Sequence, residues 1–147
     1  MAISYLLHAV VLCLFFTSSV HANEHRSNTI DMYYSAGIYT IPVEVSNGGN
    51  ILQTTVSFDT GASYSALPLL LIETLNLEPV QTVNGRLADG TLVPLTLYAL
   101  PEITVGSCIL TDTIVIGIDK ERGILGMQDL EQLRRFTFEA GRLLIEC

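Results

Sequence analysis

Alternating apolar and polar positions dominate the chain from Gly37 onward and predict mostly β-structure. The runs GIYTIPVEV and ILQTTVSF flank the turn formers Asn47-Gly48-Gly49-Asn50. Two such runs around glycines that accept a positive φ are typical of a β-hairpin. The second run leads directly into Asp59, so an acidic residue is expected at the tip of an apolar strand.

The middle of the chain predicts one helix followed by hairpins. The run ALPLLLIETLNL has Pro68 in a position suited to a first helical turn, and its leucine-rich face predicts a helix that ends near Asn76. Between residues 80 and 105, short apolar runs are interrupted by Asn84-Gly85 and Asp89-Gly90. Both dipeptides are strong turn formers, so we expect turns at both places.

The last third repeats the strand pattern with one more helix. The run ILTDTIVIGI predicts a strand, and ILGMQDLEQL begins like a strand and becomes helical. The end, RFTFEAGRLLIEC, predicts a hairpin around Ala140-Gly141. With 147 residues there is room for one domain, and these elements predict a small, mostly β barrel or sandwich with one or two short helices.

Residues 1–22 have the features of a secretory signal peptide. They contain no charged side chain, are apolar from Tyr5 to Phe16 and end in Val20-His21-Ala22, with small residues where cleavage after Ala22 would require them. An uncleaved N-terminal anchor is the alternative, and only that alternative brings the protein to a membrane. In either case we expect an exported protein, periplasmic or secreted, with an N-terminal arm over 23–36 and a domain over 37–147.

Charge and cysteine content exclude some partners. All 15 acidic and 7 basic residues follow position 22, and the net charge of −8 disfavours binding to nucleic acid. Removal of the leader leaves Cys108 and Cys147, which form either a disulfide or two free thiols in an oxidising compartment. Two cysteines do not supply the four ligands of a zinc site, so we expect neither a metal nor a cofactor.

The run Asp59-Thr60-Gly61 is the strongest candidate for chemistry. A carboxylate at the tip of an apolar strand is expected to be partly desolvated, Gly61 lets backbone N–H groups approach it, and the Thr60 hydroxyl can fix the loop. Alone, the tripeptide is more often an ordinary turn. Remaining acids in turns or on helix surfaces, such as Asp112, Asp119, Asp129 and Glu131, are expected to be solvated charges.

Three features in a fixed order resemble the retropepsin-like aspartic peptidases, above all single-lobed bacterial members with an export or anchor segment. They are Phe58-Asp59-Thr60-Gly61-Ala62-Ser63, then Leu87-Ala88-Asp89-Gly90-Thr91, then Ile124-Leu125-Gly126-Met127. The resemblance extends roughly from Gly37 to Ile145. It implies a small closed acid-protease barrel with one lobe per chain.

The resemblance also implies residue roles. Asp59, Thr60 and Gly61 would be catalytic, and the segment 87–91 would be the flap that covers substrate, with no catalytic role for Asp89. Ala62 and the segment Ile124-Leu125-Gly126 would be structural neighbours of the site. Peptide hydrolysis in this family needs two carboxylates that share a proton, and the chain has one Asp-Thr-Gly. A homodimer is therefore expected, with Asp59 from each subunit.

The expected function is that of an aspartic endopeptidase acting on exported protein substrates. The alternative is a non-catalytic peptide-binding or assembly module on the same fold, and a third option is a monomer that lends its half-site to a different partner. Ala62 has no hydroxyl to stabilise an ionised carboxylate, so we expect activity to extend toward neutral pH.

Overall fold

The computed structural model describes residues 27–147, and the predicted signal peptide or anchor lies outside the described residues. Over this range the chain forms eleven strands and two short helices. They are β1 Ser27–Asp31, β2 Tyr33–Ser35, β3 Ile38–Asn47, β4 Asn50–Phe58, β5 Ser65–Pro68, α1 Leu69–Thr74, β6 Pro79–Arg86, β7 Leu92–Val105, β8 Cys108–Ile118, β9 Gly123–Leu125, α2 Met127–Leu130, β10 Arg135–Glu139 and β11 Arg142–Glu146.

Six of the strands pair in a closed circuit. Their order is β3-β4-β9-β5-β8-β7, and β7 pairs back to β3. Closure leaves one inner face, which is filled by large aliphatic side chains with little or no exposure: Ile41, Val45, Leu67, Leu100, Ile103, Leu110 and Leu125. The mostly β fold with two short helices that the sequence predicts is therefore confirmed.

A second, three-stranded sheet joins the two ends of the described chain in the order β1-β11-β10. It includes β1, which lies in the segment 23–36 where the sequence shows no strand periodicity. β1 pairs with β11, whose residues are more than 100 positions away: Asp31 lies opposite Arg142 and Thr29 opposite Leu144. Because the pairing is this distant, the local sequence pattern does not indicate the strand. The arm is thus built into the fold from Ser27.

A disulfide closes the C-terminal end of this sheet. The sulfurs of Cys108 and Cys147 are bonded, with 5.6 Å between the Cα atoms and a sequence separation of 39. Cys108 is fully buried at the start of β8. The last residue of the chain is therefore held against the barrel of its own protomer.

Two predicted hairpin turns are present where the sequence places them. Gly48 and Gly49 have φ of 56° and 93° between β3 and β4, and Ala140 and Gly141 have φ of 47° and 79° between β10 and β11. Two consecutive residues with positive φ form the turn whose twist matches paired strands.

The turn predicted at Asn84-Gly85 is wrong. Both residues lie inside β6, where Asn84 pairs with Pro94 and Gly85 with Val93. The glycine has a different use, because a Cβ at position 85 would come within 2.1 Å of the Leu95 side chain. Gly85 therefore leaves room for the side chain of Leu95 on the neighbouring strand. The hairpin turn lies further along the chain, at Leu87–Gly90.

The predicted helix is shorter than its apolar run suggests. Its first residues form β5, which pairs with β8 and is buried throughout. The helix α1 then ends as predicted, since Asn76 has φ of 51° and the N–H of Leu77 donates to the carbonyl of Ile72. This is a Schellman ending with asparagine in the left-handed position. No helix in the range 27–147 has the length and apolar character to cross a membrane.

Candidate active site

Asp59 stands at the end of β4, where the sheet holds its backbone. β4 runs parallel to β9 with Phe58 opposite Leu125, and the N–H of Asp59 donates to the carbonyl of Leu125 at 3.1 Å. The predicted neighbours Ile124 and Leu125 thus form the strand beside the Asp59 loop. The backbone of Asp59 is therefore anchored to the barrel at the point where β4 ends.

Backbone groups of the loop are directed at Asp59 itself. The N–H of Gly61 donates to its Oδ1 at 2.9 Å, and the N–H of Ala62 donates to its carbonyl oxygen at 3.2 Å. A Cβ on residue 61 would lie 3.2 Å from Oδ1, which is tighter than ordinary contact. Glycine therefore allows the carboxylate and the backbone to approach each other, and the orientation of the carboxylate is fixed.

The expected desolvation of Asp59 is not supplied by residues 27–147. Asp59, Thr60 and Gly61 are all exposed, and the apolar strand β4 ends just before them. β4 ends at Phe58, which packs against the core, and Asp59 follows it outside the strand. The residues from 27 to 147 therefore leave this carboxylate in contact with solvent.

The loop after Asp59 is fastened to the start of α2. The N–H of Met127 donates to the carbonyl of Ala62 at 2.8 Å, and the N–H of Gln128 donates to that of Ser63 at 3.1 Å. Gly126 makes this contact possible, because a Cβ there would lie 2.4 Å from the backbone of Tyr64. Gly126 therefore lies directly against the backbone at Tyr64 and Ser65, where the loop after Asp59 enters β5.

A buried pair that the sequence did not reveal completes this attachment. The Ser65 hydroxyl donates to Oδ2 of Asp129 and accepts from the N–H of Gly126 at 2.9 Å. The prediction that Asp129 is a solvated charge is wrong, since its exposure is 0%. Its Oδ1 is buried without a partner among the described residues. Ser65 and Asp129 are 64 positions apart, so no local spacing signals the pair.

Burial raises the pKa of Asp129 above its ordinary value, and the hydrogen bond from Ser65 opposes that rise only in part. An ionised form would leave a charged oxygen without a partner in an apolar setting, which is costly. A carboxyl with a raised folded-state pKa adds stability below its unfolded value of 3.8, and this contribution is lost as pH rises through the folded pKa.

Replacing Asp129 with Asn is therefore expected to stabilise the protein at neutral pH. Asn keeps an acceptor for the Ser65 hydroxyl but carries no charge, so its Tm should exceed that of the natural protein by a few degrees near pH 7–8 and approach it near pH 3–4. Thermal unfolding across this range measures the difference. A difference that does not grow with pH would contradict an ionising buried carboxyl.

The predicted flap segment forms the tip of a two-stranded arm. Residues 92–96 of β7 pair only with β6, and the pairing of β7 with β8 begins at Leu97. At the tip the N–H of Gly90 donates to the carbonyl of Leu87, and the N–H of Thr91 donates to Oδ1 of Asp89 at 2.8 Å. All of 87–91 is exposed.

The hydrogen bond from the Thr91 N–H lowers the pKa of Asp89. This bond persists above the ordinary carboxyl range and is lost as pH falls through the lowered pKa. The Asp89 carboxylate therefore stabilises the turn at the tip of the arm through its hydrogen bond from the Thr91 N–H.

A cavity of about 420 Å³ opens beside the Asp59 strand. Phe58, the residue before Asp59, lines it together with Ile38 and Tyr39 of β3 and Phe138 of β10. The rings of Phe58 and Phe138 meet edge to face with centroids 5.4 Å apart. The surface next to the candidate carboxylate is thus apolar and aromatic.

Comparisons with known proteins agree with this geometry. A family model described as aspartyl protease matches residues 41–128. The fold is similar to the crystal structure of a retropepsin-like aspartic protease from Rickettsia conorii, with a TM-score of 0.62, 19% identity, and coverage of 83% of this chain and 93% of that one.

A second similar structure is a foamy viral protease-reverse transcriptase in complex with an RNA/DNA hybrid. Its TM-score is 0.53 and its identity 17%, and the match covers 69% of this chain but 13% of that much longer one. Curated protein sequences gave no match. Identities this low show a shared fold, and the family model covers more than half of the chain.

Proposed function

The chain belongs to the aspartyl protease family with a retropepsin-like fold, and we propose that it is an endopeptidase active as a homodimer on exported protein substrates. One observation carries the proposal. The lone Asp-Thr-Gly stands in an exposed loop that the barrel and α2 hold by several backbone hydrogen bonds. A rigid, uncovered carboxylate is suited to meet its counterpart from a second copy.

The proposed chemistry uses one proton shared between two Asp59 side chains. The ionised carboxylate takes a proton from a water molecule, whose oxygen attacks the scissile carbonyl carbon. The protonated partner donates a hydrogen bond to the carbonyl oxygen and stabilises the tetrahedral intermediate. The C–N bond then breaks as a proton passes to the leaving amine. Two carboxylates this close cannot both ionise, so the two protonation steps belong to the pair.

The fold contributes orientation to this step. The Gly61 N–H holds Oδ1 of Asp59, and the fastening of Ala62 and Ser63 to α2 keeps the loop from shifting when substrate binds. Hydrolysis depends on such pre-set geometry because a small misplacement of the reacting groups costs much of the rate.

The substrate class that suits the site is an extended peptide segment. The β6–β7 arm is proposed to fold over it as a flap, with residues 87–91 providing backbone groups along the substrate strand. The exposed side chains of Leu87 and Leu92, at 44% and 61%, offer apolar contact at the tip. An unfolded or loosely held region of a protein would be cleaved in preference to a folded domain.

An exported location is part of the proposal. The Cys108–Cys147 bond supports it, because disulfides persist outside the reducing cytoplasm. Residues 1–22 would direct export and be removed after Ala22. N-terminal sequencing of the protein recovered from its host decides this: a start at Asn23 supports cleavage, and a start at Met1 in a membrane fraction supports the anchor.

Cleavage of an unfolded protein tests the function directly. The purified protein is incubated with a reduced, alkylated protein substrate, and the Asp59→Asn variant serves as the control. Fragments that appear with the natural protein and at a specific rate that falls on dilution would support a dimeric peptidase. Substrate binding without fragments would instead support a peptide-binding module.

The pH profile is expected to extend toward neutral pH. Ala62 follows the Asp-Thr-Gly run, and its side chain has no hydroxyl that could stabilise an ionised carboxylate by a hydrogen bond. The Ala62→Ser variant should therefore shift the optimum of kcat/KM to more acid pH while leaving the fold unchanged. Measured profiles for both proteins between pH 3 and 8 decide the matter, and an optimum confined to strong acid in the natural protein would contradict the expectation.

A further inference from the structure

Strand β10 is an uncovered sheet edge beside the Asp59 loop. In the order β1-β11-β10 its outer side has no neighbouring strand among residues 27–147. Its inner residues Phe136 and Phe138 contact Phe58, with ring centroids 6.0 and 5.4 Å apart. Because Phe58 directly precedes Asp59, a strand added to this edge would lie next to the candidate catalytic loop.

The opposite edge of the same sheet is built differently. On β1 the Asn28 side chain donates to the Ser107 hydroxyl at 2.8 Å and accepts from the Ser107 N–H at 3.4 Å. These contacts tie β1 to the β7–β8 turn. The C-terminus is likewise tied to its own barrel through Cys147. Strand β1 and the C-terminal Cys147 are thus both held against the barrel of their own protomer.

The residues of β10 are complementary to themselves in antiparallel orientation. The strand reads Arg135-Phe136-Thr137-Phe138-Glu139. Antiparallel pairing centred on Thr137 would set each Arg135 opposite the partner's Glu139 and each Phe136 opposite the partner's Phe138. A strand with this symmetry suits a two-fold axis, where the same patch serves both subunits.

We propose that two copies of this chain dimerise by antiparallel pairing of their β10 strands, centred on Thr137, to give a continuous six-stranded sheet next to the two Asp59 loops. The inference rests on the proposed function, because a single chain holds one carboxylate and the site is incomplete without the second copy. The pairing covers an otherwise open strand edge, which folded proteins protect or use for assembly.

Charge and aromatic packing both favour this register. Cross-strand pairs of opposite charge or of aromatic rings each contribute roughly 0.2–1 kcal/mol. Arg135 already contacts Glu146 of its own chain at 3.1 Å, yet its side chain is 65% exposed and a guanidinium has five donors to share. Phe138 is 53% exposed and would become covered by the partner's Phe136.

The same side of the molecule carries further apolar surface. Ile38 and Tyr39 are 44% and 48% exposed and border the cavity that Phe58 and Phe138 line. Burial of this surface would add to the edge pairing, since each Å² of apolar area removed from water contributes about 25 cal/mol. The aromatic cluster of one copy would then continue into that of the other.

Two threonines at equivalent positions on the two edges of this sheet provide a test variant and a matched control. Thr137 on β10 and Thr29 on β1 both lie opposite Leu144, at the two edges of the same sheet, and both are exposed. The dimer dissociation constant is measured by sedimentation for Thr137→Lys and Thr29→Lys. We expect Thr137→Lys to raise it at least about tenfold, because two lysines would face each other. Thr29→Lys should leave it unchanged.

Charge reversal tests the register. Glu139→Arg should weaken the dimer by placing Arg135 opposite an arginine of the partner, and the double variant R135E/E139R should restore association. Circular dichroism verifies that each variant is folded. If Thr29→Lys rather than Thr137→Lys breaks the dimer, or if the double variant does not recover, the β10 interface is overturned while a dimeric peptidase can still stand. If the natural protein is monomeric yet cleaves peptides, both the interface and the paired-carboxylate mechanism fail.

Discussion

Replacing Asp59 with Asn is expected to lower kcat/KM for peptide cleavage by about 10³-fold or more. Asn can neither take a proton from water nor hold the shared proton, so both halves of the proposed acid–base chemistry are lost at once. Loss of a group that acts in the transition state lowers kcat and kcat/KM together. Steady-state kinetics on a peptide derived from a cleaved site measure both values.

The same substitution should leave the fold and the dimer intact. Asp59 is exposed, and Asn retains an oxygen that can accept the Gly61 N–H. The unfolding midpoint and the dimer dissociation constant should therefore match those of the natural protein. Unchanged cleavage in a folded, dimeric Asp59→Asn variant would rule out the proposed mechanism.

Subunit mixing separates a paired site from an independent one. When natural protein and Asp59→Asn are allowed to exchange subunits at constant total concentration, a site that needs two carboxylates gives activity that falls as the square of the natural fraction. A site that uses one Asp59 per chain gives a linear decline. The square law holds when natural and variant subunits pair equally well, which their matching dimer dissociation constants would establish.

Removing the Cys108–Cys147 bond is expected to lower the free energy of unfolding by about 4 kcal/mol. The bond closes a segment with a separation of 39 residues, and the loss of unfolded-chain freedom predicts a value of this size. The variant Cys108→Ala with Cys147→Ser keeps the buried position apolar, since Cys108 has 0% exposure. Urea unfolding of both proteins measures the change.

Two further measurements complete that experiment. The natural protein in the presence of a thiol reductant should approach the stability of the double variant, and a non-reducing gel of the denatured natural protein should show single chains. Covalent dimers on that gel would mean that the bond joins two protomers, which would overturn the assignment of Cys147 to the barrel of its own chain. Equal unfolding midpoints for the two proteins would mean that the cysteines are not bonded in solution.

Much of the candidate site could be predicted because it is local. The hairpin into Asp59 needs only a strand period and two glycines, and the Gly61 N–H reaches Oδ1 across two residues. The same holds for the turn at Leu87–Gly90 and for the C-terminal turn at Ala140-Gly141. In each case the residues that interact are neighbours in the chain, so their types alone limit the conformations open to them.

The remaining features depend on partners that are distant in sequence. Asn84-Gly85 is a strong turn signal that cross-strand pairing with Val93 and Pro94 overrides. Asp129 has the sequence context of a surface acid, yet the docking of α2 on β5 buries it against Ser65. Residue order along the chain therefore determined where the carboxylate and its turns lie. Long-range packing decided which polar groups lose water and which strand edge stays open, because burial is a property of the assembled layers and not of any segment.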